Sequence, residues 1–190
     1  MVAMTTGGSV RHMVGDLAHV LRSDHGRPDH PIGRAERLGD PERTTPMNTM
    51  PFLLFDGTCA DAMAFYRSCL GGELAITLLG DTPMGDRAPA EQRHKVAYAH
   101  LRSGAVELSG TDWLHPGRRP TPGNTVAVYL QADDARELRA VFDSLAVGAE
   151  PELLDDLSDM PFGTYGHLAD RYGVHWFFRA PPREASTSDG

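Results

Sequence analysis

The sequence predicts an α+β fold of two βαβββ modules with a cleft between them, and three observations lead there. The chain states one pattern twice: Leu53-Leu54-Phe55-Asp56 leads into a helical run that stops at Gly71-Gly72-Glu73, and Val128-Tyr129-Leu130 with Asp133 leads into another that stops at Gly148-Ala149-Glu150. Overlaid without a gap, Asp56 meets Asp133, Phe65 meets Phe142, Gly71 meets Gly148 and Glu73 meets Glu150. These are a carboxylate near a helix start, an aromatic on its buried face and the glycine that ends it. Each helical run is followed by further strand-like segments. All fourteen aromatic residues lie between Phe52 and Phe178, so the core-building part is roughly 130 residues, the size of one domain with one core.

Taken in order, Pro51 to Phe55 is a short apolar strand, and Asp56-Gly57-Thr58 carries turn and N-cap chemistry. Ala60 to Leu70 is a helix in which Ala62, Phe65, Tyr66 and Cys69 recur at helical spacing. Glu73 to Leu79 reads as a strand, followed by a loop from Gly80 to Glu91 rich in Gly, Pro and Asp. Lys95 to Arg102 and Ala105 to Ser109 form a hairpin around Ser103-Gly104. Trp113 to Gly123 is a connecting loop. The second round follows as a strand at Thr125 to Gln131, a helix at Asp134 to Leu145, a weak strand at Pro151 to Leu154, and strands at Tyr165 to Asp170 and Val174 to Phe178. Glu152, Asp156 and Asp159 read as a solvated acidic loop. Cys59 and Cys69 lie on one helix, roughly 15 Å apart along its axis, too far to bridge, so both are read as free thiols in packing roles.

The ends have a different composition. Residues 1–49 contain no aromatic residue, carry four of the nine His, and read as a disordered extension or as the product of a start upstream of Met47 or Met50. His12 and His19 could share a helical face there, against the simpler reading of disorder. Residues 181–190 read as a flexible tail, leaving 50–180 as the domain. The net charge is -8 and Lys95 is the only lysine; with no basic stripe, nucleic acid is not an expected partner. No apolar run is long enough to cross a bilayer, and the N-terminus lacks the apolar stretch of a signal peptide, so no membrane partner and a cytoplasmic location are expected.

Phe162-Gly163, Tyr165-Gly166, Leu168, Asp170, Tyr172-Gly173 and Trp176, with Phe55-Asp56-Gly57 and Phe65-Tyr66, resemble the PhnB-like branch of the vicinal oxygen chelate superfamily, which includes glyoxalase I, extradiol dioxygenases and the fosfomycin and bleomycin resistance proteins. The resemblance covers about Met50 to Ala180. It implies a glyoxalase/bleomycin-resistance-like cupped mixed β-sheet with a central cleft, a homodimer, and a divalent metal held at four strand positions. The first of these falls on Pro51 or Met50, the second on Glu107, the third on Ala127 and the fourth on Phe177. Only Glu107 is a ligand there, and a lone carboxylate does not hold a catalytic zinc, nickel or iron. No cofactor is therefore expected. Members of this branch are often labelled by ubiquinone methylation, but this chain has no glycine-rich nucleotide-binding turn, and methyl transfer is not expected. P-loop, GxSxG and HExxH motifs are absent as well.

Strand alternation gives an independent lining for the cleft. With Val126, Val128 and Leu130 under the helices, Ala127, Tyr129 and Gln131 face the cavity; Glu107 and Ser109 face it from another strand, and His175 with Phe177 opposite Trp176 from a third. Candidate ligand-binding residues are Phe55, Tyr98, His100, Glu107, Tyr129, Gln131, His175 and Phe177, with Leu53 beside them, a lining suited to a small organic ligand. Glu107 is a candidate catalytic base or, alternatively, an ion-pair partner of Arg102. His100 and His175 either join Glu107 in a shifted metal site or stand as ordinary polar residues, and Tyr98 and Tyr129 are wall residues or acids. Three functions are in view: binding of a small metabolite or drug without the metal, a divalent-metal-dependent lyase, isomerase or dioxygenase around Glu107, and a dimeric interaction module with no ligand.

Overall fold

In a computed structural model that describes residues 48–115 and 117–182, each module opens with a short apolar strand that pairs in parallel with the strand closing the same module. In the first module β1 (Phe52–Phe55), β4 (Val106–Asp112), β3 (Val96–Ser103) and β2 (Glu73–Leu78) form a sheet in that order; in the second, β5 (Val128–Gln131), β8 (His175–Ala180), β7 (Gly163–Ala169) and β6 (Leu154–Met160) repeat it. A helix, α1 (Cys59–Leu70) or α2 (Ala135–Leu145), carries the chain to the far edge of each sheet, and two antiparallel steps fill the sheet back. The α+β class and both βαβββ modules are as the sequence predicts, with the strands divided between two four-stranded sheets. The expectations for the N-terminal extension, His12, His19, a start at Met47 and the end of the tail lie outside the described residues.

Three local expectations are corrected. Asp156 and Asp159 belong to the edge strand β6 and Glu152 to the 3-10 turn at Pro151–Leu153 before it, not to a loop. An edge strand tolerates this charge because its acidic side chains reach solvent while Leu157 is buried. The fifth strand starts at Val128, not Thr125, and Val126 is 81% exposed. The cap of α1 does not come from its own turn: Thr58 makes no side-chain cap bond, and the backbone N–H groups of Gly57 and Cys59 donate to Asp112 Oδ1 at 2.9 and 3.0 Å. The other oxygen of Asp112 accepts from the Val96 N–H at 2.8 Å. One buried carboxylate on β4 thus holds a helix start and a strand start together. Helix α2 is capped locally, by Asp134 accepting from the Arg136 N–H.

The helix faces of both sheets meet in a single core. From the first module come Phe55, Cys59, Met63, Tyr66, Leu101 and Leu108, and from the second Val128, Leu138, Phe142, Leu168, Trp176 and Phe178. Tyr66 of α1 is fully buried and packs edge-on to Trp176 of β8, with ring centroids 5.4 Å apart; Tyr172 closes on Tyr66, Phe65 and Phe55. The turn before β8 is built on Asp170, which accepts from the N–H groups of Tyr172 and Val174 and from the Trp176 indole at 2.8 Å. Gly72, at φ 84°, is where α1 passes into β2, and a side chain there would strike the Arg102 carbonyl oxygen.

Replacing Asp112 by Ala leaves three backbone donors without their acceptor, and a loss of about 3 kcal/mol in urea unfolding is expected; a loss under about 1 kcal/mol would show that water caps α1 equally well. Burial first, and then the Asp112 charge, push the Cys59 thiol up to about 12. Burial also raises the Cys69 thiol, which is only half-buried, so native protein is expected to show Cys69 reacting slowly with a disulfide reagent and Cys59 reacting only on unfolding.

Candidate functional site

With the core on one side of each sheet, alternation presents a second row of side chains on the other. On the first sheet this open face carries Phe52 and Leu54 from β1, Tyr98, His100 and Arg102 from β3, and Glu107 and Ser109 from β4. Phe52 stacks on Tyr98 at 6.4 Å, and Tyr98 lies 6.2 Å from the His100 ring. The Glu107 carboxylate accepts from Arg102 Nε at 3.1 Å and stands 3.5 Å from His100 Nε2. Burial, helped by the Glu107 charge, pushes the Tyr98 hydroxyl above its usual range.

The open face of the second sheet carries Tyr129 and Gln131 from β5, Tyr165 and His167 from β7, and His175, Phe177 and Arg179 from β8. Phe162, Tyr165, Phe177 and His167 form a continuous ring path, with neighbouring centroids 6.0, 5.9 and 4.5 Å apart. His167 Nε2 and His175 Nδ1 are 3.0 Å apart, and Asp155 on β6 stands 3.7 Å from His167 Nδ1. Desolvation, then the neighbouring His175, hold His167 below the usual imidazole range.

The residues expected in one cleft are therefore divided: Tyr98, His100 and Glu107 on the first sheet, Tyr129, Gln131, His175 and Phe177 on the second. His175 bonds to His167 and not to the expected Glu107 and His100, and among the described residues no group of three or more His, Cys, Asp or Glu is placed to hold a metal ion. Phe55 and Leu53 are corrections: Phe55 is 4% exposed, and both turn toward the core, because it is Phe52 and Leu54 that share the open face. Ala127 precedes β5 and occupies no strand position. The reading of Glu107 as an ion-pair partner of Arg102 matches the geometry.

Register also shows a repeat that the element pattern did not. His100 faces Ser109 as His167 faces Phe177, so Tyr98-Ala99-His100-Leu101 and Tyr165-Gly166-His167-Leu168 occupy matching strands, and Glu107 corresponds to His175. The site residues missed from sequence, Tyr165 and His167, were signalled by this repeated Tyr-small-His-Leu.

The family metal does not fit these residues. Pro51, Ala127 and Phe177 offer it no ligand, Glu107 is already engaged by Arg102 and His100, and His175, the register counterpart of Glu107, is on the second sheet and bonded to His167. A cavity of about 470 Å³ lies at the end of the second sheet, where Asn124, Glu150, Arg171 and His175 contribute polar edges. His175 is the one residue of the expected lining that reaches it.

Paired βαβββ modules with aromatic open faces define a protein of the glyoxalase/bleomycin-resistance class, the vicinal oxygen chelate superfamily. The chain belongs to the PhnB-like family whose model, described as 3-demethylubiquinone-9 3-methyltransferase, matches residues 47–178. It is 27% identical over 139 residues to protein YjdN of Escherichia coli K12, covering 68% of this chain and 92% of the relative. The crystal structure of protein PA1353 from Pseudomonas aeruginosa is similar at a TM-score of 0.63 and 28% identity, covering 72% of this chain and 99% of that one. The PhnB protein from Bacillus cereus shares the fold at a TM-score of 0.53 and 24% identity, covering 70% and 99%. Among the described residues no helix is long and apolar enough to cross a membrane.

Since Arg102 and Glu107 are 54% and 35% exposed, their pairing is expected to add little stability. Arg102→Ala, Glu107→Gln and the double variant should unfold within about 1 kcal/mol of the parent in urea, and a coupling above about 2 kcal/mol would make the pair a structural element.

Proposed function

We propose that this protein binds a small, partly aromatic metabolite or drug against its open sheet faces, as a homodimer and without the family's catalytic metal. The observation that carries this reading is the apolar surface left uncovered there. Phe52, Leu54 and Tyr129 are 46%, 42% and 52% exposed, beside the ring path of Tyr165 and Phe177, while the sole family ligand, Glu107, is occupied by Arg102. Aromatic walls with a few fixed polar groups recognise flat organic molecules. A second copy is the natural cover, because one chain spends both helix faces on its own core and leaves the two open faces on separate sheets.

Methyl transfer, which the family description mentions, is not part of this reading. The chain carries no glycine-rich nucleotide turn, and its described strands form two mixed antiparallel sheets, not a doubly wound parallel one. A metal-dependent reaction centred on Glu107 has no observation in its favour.

The test is a thermal-shift screen of hydrophobic antibiotics and aromatic metabolites in the presence of a chelator, followed by calorimetry on any hit. Binding is expected to survive the chelator and to weaken about tenfold or more in Tyr98→Ala and Phe177→Ala, with a solution mass twice the 20.7 kDa of the chain. A monomeric mass would overturn the dimer. Absence of any stabilising compound would favour a dimeric interaction module, and binding abolished by the chelator and by Glu107→Ala would restore the metal-dependent enzyme.

A further inference from the structure

Each open face carries one arginine on a strand, and their surroundings differ. Arg102 of β3 is ion-paired with Glu107, whereas among the described residues no carboxylate lies within ion-pair distance of Arg179 on β8. The Arg179 guanidinium leans over the Phe162 ring, 5.9 Å from its centroid, and Nη2 donates to the Phe162 carbonyl oxygen at 3.5 Å, a long bond. A cation with open hydrogen-bonding capacity therefore stands at the Phe162 end of the ring path that runs through Tyr165 and Phe177 to His167.

Register sets this surface in two rows across the sheet. Gln131 and Tyr165 flank Arg179 from β5 and β7, and Tyr129 and His167 flank Phe177 in the same way. A polar row centred on the cation thus adjoins a row of rings, the two about 7 Å apart along β8. At the far end of the path His167 is bonded to His175, and Asp155 stands 3.7 Å from its Nδ1. The surface runs from an unpaired cation, over aromatic rings, to a carboxylate, so a flat molecule lying along it is favoured with its negative end at Arg179.

We propose that the second open face selects aromatic carboxylic acids, the ring lying along Tyr165 and Phe177 and the carboxylate meeting the Arg179 guanidinium. The guanidinium fork matches a planar carboxylate in two parallel hydrogen bonds, and the Gln131 amide beside it is a further donor. Rings stacked on aromatic walls supply the apolar contact. The net charge of -8 opposes anions at long range, so a preference for an acid over its neutral analogue reports a local cation. The inference rests on the ligand-binding reading and names the ligand class for one of its two faces.

The test uses the full chain and two flat probes of one shape, naphthoate and its neutral analogue naphthamide, titrated calorimetrically with a chelator present. The acid is expected to bind about tenfold more tightly than the amide, with the margin shrinking as salt is raised. Arg179→Gln should abolish the margin by weakening the acid, and Phe177→Ala should weaken both probes. Arg179 is exposed, so its replacement is compatible with the fold, and the comparison of the two probes on unaltered protein needs no variant. Equal affinity for the two probes, a margin that survives Arg179→Gln, a margin that instead follows Arg102→Ala, or no binding of either probe would each overturn the proposal. The ligand-binding reading outlasts any of these outcomes if the broader screen returns uncharged or basic compounds, and that screen alone decides it.

Discussion

The arrangement of both modules depends on the burial of Trp176 against Tyr66, fixed by a buried carboxylate. Asp170 is 1% exposed and gives one oxygen to two backbone donors in the turn before β8 and the other to the Trp176 indole. An unpaired carboxylate or indole N–H in that position would be costly, so the turn, the start of β8 and the ring orientation are specified together. Tyr66 then packs edge-on to the indole, joining the first helix to the second sheet. With Trp176 inward, alternation turns His175 and Phe177 outward. The chemistry of the second open face is thus a consequence of how the core is closed.

The two modules use this geometry to different ends. Matching strands hold Tyr98 with His100 in one and Tyr165 with His167 in the other, but the neighbour on the closing strand is a carboxylate in the first and an imidazole in the second. Beside Glu107, His100 takes part in a polar cluster that also satisfies Arg102. Facing His175 with Asp155 behind it, His167 is left with a nitrogen pair and no guanidinium. One scaffold therefore yields an ion-paired face and a face closed by a His–His hydrogen bond.

Much of the fold was legible because its signals are local. The helical spacing of Ala62, Tyr66 and Cys69, the Gly71 stop and the turn at Ser103-Gly104 all act within a few residues of themselves. What was not legible is long-range or ambiguous. The cap of α1 comes from Asp112, far along the chain, and no local pattern announces it. The strand Phe52-Leu53-Leu54-Phe55 is apolar at every position, so its pattern does not say which residues face the core, and Phe55 lies in the core and not on the open face. β6 was hidden by its own acidity, which an edge strand accepts and a central one would not. His167 escaped notice because only the ladder register shows which residue faces it.

The division of the expected cleft between two sheets follows from the same constraint as the core. A half-barrel needs its strands to present one concave face, yet here each sheet commits its helix side to a core shared with the other module. Side chains on the opposite sides, such as Glu107 and His175, correspond by register but belong to different sheets, and alternation cannot bring them together. Residues pointing away from the helices share one lining only if something spans the two faces, and the exposed Phe52, Leu54 and Tyr129 mark where such a partner gains most apolar contact.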